Sequence, residues 1–152
     1  SITPTRKEII NFSEPYFNNK IVLVTYKDNP ASWIASIKGD KIADVKGTTF
    51  ETIAQGIKGT EVEYPTTVAG ELMGLLKEKK VKYILTDMPD AKYSIKLGEP
   101  IKIIGVVPGG GTDFYGYGIR KSDTDLLNKV GEWMKKIKSD GTYDKLSDKH
   151  FK

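Results

Sequence analysis

Residues 81–89 read VKYILTDMP. Val81 to Thr86 carries the branched and aromatic residues of a strand, and Pro89 stands in the first turn of a helix beginning near Met88. A strand that runs directly into a helix is the repeating unit of an α/β fold. Two more such units lie upstream, Lys41 to Lys46 leading into a helix from Thr48 and Glu61 to Tyr64 leading into a helix from Thr66. The middle helix shows an apolar face through Val68, Leu72, Leu75 and Leu76, at helical spacing. Before these units, KIVLVT from Lys20 to Thr25 reads as a buried strand, and Ser32 to Lys38 as a short helix ended by Gly39. After them, Ile101 to Val107 gives a further strand, followed by the loop PGGGT. Alternation of this kind implies a mainly parallel sheet covered on both faces. The α/β unit is expected at about residues 22–112.

Beyond that unit comes YGYGIRK, read as one strand with alternating small residues. A strongly amphipathic helix follows, with Leu126, Leu127, Val130, Trp133, Met134 and Ile137 on one face. Gly141 is expected to end it and Thr142 to cap a last helix. At the other end of the chain, Thr3-Pro4 resembles an N-cap followed by a first-turn proline, so a short helix carrying Arg6 opens the sequence. The long apolar face of residues 126–137 has no obvious partner in the α/β unit.

Composition narrows the chemistry. The 152 residues suffice for one domain or two small lobes, with 38% apolar and 29% charged residues. The formal charge of +4 arises from 24 basic and 20 acidic residues that interleave along the chain. The one dense basic run, KEKK at 77–80, lacks aromatic interleaving and reads as a solvated helix end, so no nucleic-acid partner is expected. With no cysteine, disulfides, thiolate zinc sites and cysteine nucleophiles are excluded. No segment approaches the about 18 apolar residues of a membrane span, and no signal-peptide pattern stands at Ser1. A mature exported chain and a cytosolic one look alike on this basis.

In open α/β sheets, ligands sit beyond the carboxyl ends of the strands. GTTFE falls there: Thr48 can cap a helix, Glu51 can complete a capping box, and the backbone N–H groups of that helix end suit a carboxylate or phosphate. On the motif alone, the plainer reading of a well-formed cap is the stronger one. Asp87 follows VKYILT directly and either meets a ligand ammonium or caps the next helix. An anion site and an acid at neighbouring strand ends would suit a zwitterion, that is, an amino acid. His150 is the only histidine and lies near the end, which speaks against a catalytic triad or a histidine metal site; no metal, cofactor or catalytic residue is expected. The glycines at 109–111 lack the Lys-Ser/Thr and helix of a phosphate loop. Trp33 and Trp133 read as packing residues, and Tyr115 and Tyr117 as either packing or cleft wall.

Five segments in order, SITPTRKEIINFSEPYF, KGTTFE, ILTDMP, YGYGIRKSDTDLL and KSDGTYDKLSDKHF, resemble the extracytoplasmic solute-binding proteins of polar amino-acid ABC transporters. The resemblance implies a periplasmic-binding-protein-like type II fold, with an amino acid held between two α/β lobes that close about a hinge and deliver it to a membrane permease. It implies that Arg6 takes the ligand carboxylate as a guanidinium fork, that Ser1 adds a hydroxyl or backbone contact, that Thr49 with Thr48 meets the same carboxylate at a helix N-terminus, and that Asp87 takes the ammonium. The location implied is extracytoplasmic, periplasmic or as a cell-surface lipoprotein.

The family has most of its first lobe ahead of the segment that begins here at Ser1. Residues 1–21 are therefore expected to be a lobe 1 remnant with the first hinge strand, 22–112 a complete lobe 2, and 113–152 the second hinge strand with the C-terminal helices of lobe 1. A truncated form with impaired binding, and self-association or element exchange through the uncovered apolar face, are the corresponding expectations. Two other readings share the fold. Cyclohexadienyl dehydratases resemble this chain in having an acid three residues after the TD pair, which is Asp90 here, a potential general acid. A ligand-sensing ectodomain of a receptor would use the same lobes.

Overall fold

The structure, a computed structural model, describes residues 1–110 and 113–151; Gly111 and Thr112 of the PGGGT loop lie outside the described residues. Contacts divide the chain into two units, Ser1–Asn19 with Thr112–Lys152, and Lys20–Gly111.

The chain begins with helix α1 (Pro4–Ile9), strand β1 (Ile10–Phe12) and strand β2 (Phe17–Asn19) of the first unit. Thr3 caps α1 by accepting the Arg6 N–H, and Pro4 occupies the first turn, where its missing N–H costs nothing.

The second unit then runs through β3 (Ile21–Tyr26), a 3-10 turn (Ile34–Ile37), β4 (Lys41–Ala43), α2 (Thr49–Gln55), β5 (Glu61–Glu63), a 3-10 turn (Ala69–Glu71), α3 (Leu72–Lys77), β6 (Tyr83–Asp87), α4 (Met88–Lys96) and β7 (Ile101–Val106). Its strands form one sheet in the order β5-β4-β6-β3-β7. β4 is parallel to β5 and to β6, with Ala43 opposite Ile84, as strand-then-helix units require. β3 is antiparallel to both β6 and β7, so it runs against the other four strands. The sheet is therefore mixed rather than mainly parallel throughout. An apolar strand buried on both faces carries no mark of its direction, because the same residues are covered whichever way it runs.

Helices cover both faces. Ile21 and Leu23 of β3 pack with Ile42, Leu85, Ala54 and Ile57 on the α2 side. Val22 and Val24 point the other way, to Ile84, Leu72, Leu76, Val81 and Ala91 on the side of α3 and α4. The period-two alternation of β3 thus serves two cores, each burying apolar surface at about 25 cal/mol per Å².

Two local expectations change. The helix expected from Thr66 starts only at Leu72, after a 3-10 turn, because the Thr66 hydroxyl engages its own neighbourhood, accepting the Val68 N–H and donating to Glu71. Leu72 and Leu76 are buried as its face predicts, whereas Val68 is exposed. The helix expected over 32–38 is only the 3-10 turn, closed by Gly39 at φ 86°.

The first unit resumes with β8 (Asp113–Tyr115), β9 (Gly118–Arg120), α5 (Thr124–Ser139) and α6 (Thr142–Phe151). β2 pairs with β8 and β1 with β9, both antiparallel. YGYGIRK is thus two strand pieces, not one. Between them Gly116 passes so close to Ile2 and the Ser13 carbonyl that a Cβ would lie 2.8 Å and 3.0 Å from them. Tyr117 there exchanges hydrogen bonds with Ser13 and stacks on Tyr16 at 4.7 Å. On α5, Met134 and Ile137 are buried, while Leu126 and Trp133 remain about half exposed. Asp140, not Thr142, supplies the side-chain bond at the start of α6, accepting the Thr142 N–H at 2.9 Å.

Candidate ligand site

In the first unit, α1 presents Arg6 on an exposed turn, where Nη1 donates to the Ser1 carbonyl at 3.0 Å. A guanidinium has five N–H donors in a planar fork, and no acid pairs with this one among the described residues. The Ser1 hydroxyl donates to Asp113 Oδ2 at 3.1 Å, and the buried Asn19 amide donates to the same oxygen and to the Tyr115 hydroxyl. Ser1 and Arg6 are brought together, and Asp113 ties Ser1 to β8.

In the second unit, β4 ends at Ala43 and the chain turns through Asp44–Gly47 into α2. Thr48 is the N-cap: its hydroxyl oxygen accepts the Glu51 N–H at 3.1 Å. The reciprocal bond expected of a capping box goes elsewhere, because Glu51 accepts from the Gly47 N–H at 2.7 Å and from the Tyr64 hydroxyl at 2.7 Å. The Tyr64 hydrogen bond, and then the Gly47 one, holds the Glu51 carboxyl below its ordinary range. Lys46 lies over the Tyr64 ring at 5.0 Å. Thr49, the first residue of α2, is half buried.

Sequence reasoning missed Asp44. Only 2% exposed, it accepts the Val45 N–H and the Thr48 hydroxyl with Oδ1, at 2.7 Å and 3.2 Å. Burial pushes its carboxyl up, against the lowering effect of those two bonds. The one visible clue was an acid inside the otherwise strand-like stretch KIADVK, immediately ahead of GTT.

β6 delivers Asp87 to the N-cap position of α4, with extended dihedrals, but its side chain makes no capping bond to that helix. Asp90 follows in the first turn, its carboxyl pushed up by burial and next by the charge of Asp87. Thr48, Thr49 and Asp87 thus stand at the carboxyl ends of two paired parallel strands. His150 is exposed on α6, and among the described residues no group of three or more His, Asp or Glu is placed to hold a metal. No helix among them is long and apolar enough to cross a membrane.

The chain is similar to known binding proteins. It is 29% identical to the ABC transporter arginine-binding protein 1 of Escherichia coli (strain K12), over 99% of this chain and 63% of that protein. A solved ancestral arginine-binding protein bound to arginine superposes with a TM-score of 0.83 at 30% identity, covering 100% of this chain and 69% of that one. An ancestral amino-acid-binding protein described as a precursor of cyclohexadienyl dehydratase gives a TM-score of 0.84 at 32% identity, covering 100% and 66%. The 152 residues span about three fifths of the length of the curated relatives they match. The profile of the bacterial extracellular solute-binding proteins, family 3, matches residues 1–152. From that match and from a periplasmic-binding-protein-like α/β fold, the chain belongs to the bacterial extracellular solute-binding proteins, family 3.

Proposed function

We propose that this chain binds a free amino acid as part of the solute-binding component of an ABC transporter, outside the cytoplasm in the periplasm or on a lipoprotein anchor, and acts with a membrane permease rather than as an enzyme. Arg6 pairs with the ligand carboxylate, helped by Ser1. The Thr48–Thr49 end of α2 takes the same carboxylate, and Asp87 takes the ammonium. In this division residues 22–112 are the second lobe, and 1–21 with 113–152 supply elements of the first. The observation that carries the reading is the pairing of β4 with β6. It brings the carboxyl ends of two parallel strands together, one leading into the Thr48 cap of α2 and the other into Asp87. An anion-binding helix end and an acid at neighbouring strand ends support a zwitterion as the ligand.

These groups address only the backbone part of an amino acid, so affinity in the 152-residue chain is weak, on the order of millimolar. Calorimetric titration with L-arginine, the ligand of two of the similar proteins, tests this. Heat of binding that disappears in Asp87→Asn supports the reading; tight binding, or binding indifferent to Asp87, counts against it. Leu126 and Trp133, half exposed on α5, favour self-association, against which a clean monomer by light scattering across a concentration series would speak. A dehydratase reading draws on the raised Asp90 carboxyl and on the likeness to the dehydratase precursor. Formation of phenylpyruvate from prephenate, lost in Asp90→Asn, is the result that would favour it.

A further inference from the structure

Asp44 is 2% exposed, yet it stands at the turn between β4 and α2 rather than within either core. Both donors it meets, the Val45 N–H at 2.7 Å and the Thr48 hydroxyl at 3.2 Å, go to the same oxygen, Oδ1. Its other oxygen, Oδ2, is buried with no hydrogen-bond partner among the described residues. Buried acids are retained where a specific contact requires them, because an apolar residue of the same size carries no desolvation cost.

The contact required here is with Thr48. A threonine hydroxyl has one proton to give and lone pairs to receive with. The Thr48 oxygen receives the Glu51 N–H, and its proton goes to Asp44. Nothing is then left on this hydroxyl for a ligand carboxylate, which needs a donor. Thr49 differs: its side chain makes no hydrogen bond among the described residues, and its hydroxyl is free to donate. The two adjacent threonines thus differ: the Thr48 hydroxyl is committed to Glu51 and Asp44, and the Thr49 hydroxyl is not.

We propose that Asp44 is a positioning residue for ligand binding: by holding the Thr48 hydroxyl through Oδ1 it fixes the turn before α2 and leaves Thr49 to meet the carboxylate of the bound amino acid. This rests on the binding role argued above. Asp44 itself does not touch the ligand. What it supplies is an acceptor in a fixed place, a task the amide oxygen of asparagine can perform and a methyl group cannot.

The test titrates L-arginine into the nitrogen-15-labelled 152-residue chain and follows the Thr49 and Phe50 amide signals. Asp44→Ala, shown to be folded by its dispersed spectrum, is expected to weaken binding at least tenfold, and Asp44→Asn to recover most of that loss. Parent-like binding in a folded Asp44→Ala overturns the proposal, as does an Asp44→Asn that binds no better than Asp44→Ala. Should Asp44→Ala not fold, Asp44→Val, which keeps the side chain's size in this buried place and offers no acceptor, takes its part, and parent-like binding by that folded variant overturns the proposal. Absence of any arginine-induced shift in the parent fails the binding role itself, and the positioning role with it. That outcome is distinct from the one in which the parent binds and Asp44 proves irrelevant.

Discussion

Replacing Thr48 by valine removes one oxygen and keeps the side chain's shape, so the loss can be worked from the bonds that oxygen makes. Its acceptance of the Glu51 N–H is an N-cap bond, whose removal costs about 1 kcal/mol. Its donation to Asp44 satisfies a buried carboxylate, and withdrawing one donor from such a group costs on the order of 1–2 kcal/mol. The two terms share an atom and are not independent, so the expected total is about 2 kcal/mol rather than the upper sum. With a urea slope of about 2 kcal/mol per molar, the midpoint should fall by about 1 M. Urea unfolding followed by circular dichroism reads this, and amide exchange in β6 confirms that the second unit is the part affected. Thr48→Ser, which keeps both bonds, should stay within about 0.5 kcal/mol of the parent. A Thr48→Val midpoint equal to that of the parent would refute the claim that this hydroxyl holds the turn.

Other outcomes follow from the same structure. Gly110→Ala should destabilise the second unit by about 1–3 kcal/mol in urea, since the new Cβ would lie 2.7 Å from Val107 Cγ2 and 2.9 Å from Ile21 Cβ. Leu76→Ala, at a fully buried position between α3 and the sheet, should cost about 2–5 kcal/mol by the same assay. Because burial raises the folded-state pKa of Asp44 above its unfolded value, its contribution to stability is full below the unfolded carboxylate pKa and is lost as pH rises through the folded value. Asp44→Asn lacks that titration, so its stability relative to the parent should increase as the pH rises above about 4. A constant difference across that range would show that Asp44 is not perturbed. Glu51 has the opposite sign: its lowered pKa gives stability that is present at neutral pH and lost on acidification, and Glu51→Gln should flatten that loss.

Much of the fold could be read in the sequence because the second unit is built from short local units. KIVLVT, KIA and YILT each became strands, and each helix of the unit lies close behind its strand. Direction was not legible for β3, since its two-sided burial reads the same either way. Helix starts failed where a polar side chain took a local bond instead, as at Thr66, and YGYGIRK was misjudged because the close approach of Gly116 to Ile2 and Ser13 joins positions more than 100 residues apart. At the candidate site, Thr48 and Asp87 were singled out because strand ends and caps have local signatures, whereas Thr49 came from resemblance. Asp44 was not, because its role depends on burial, and nothing in DVKGTT distinguishes a buried acid from a solvated one. Arg6 and Ser1 came from resemblance, and their local geometry adds the contact between them.

The most direct test compares L-arginine with agmatine, the same molecule without its carboxylate, in nitrogen-15 NMR titrations of the 152-residue chain. L-Arginine is expected to shift the amides of Thr49, Phe50 and Arg6 in a saturable manner, with weak affinity, and agmatine to leave those three unmoved. Equal shifts from both compounds, or none from L-arginine, would contradict the assignment of this chain's Arg6 and α2 end to an amino-acid carboxylate.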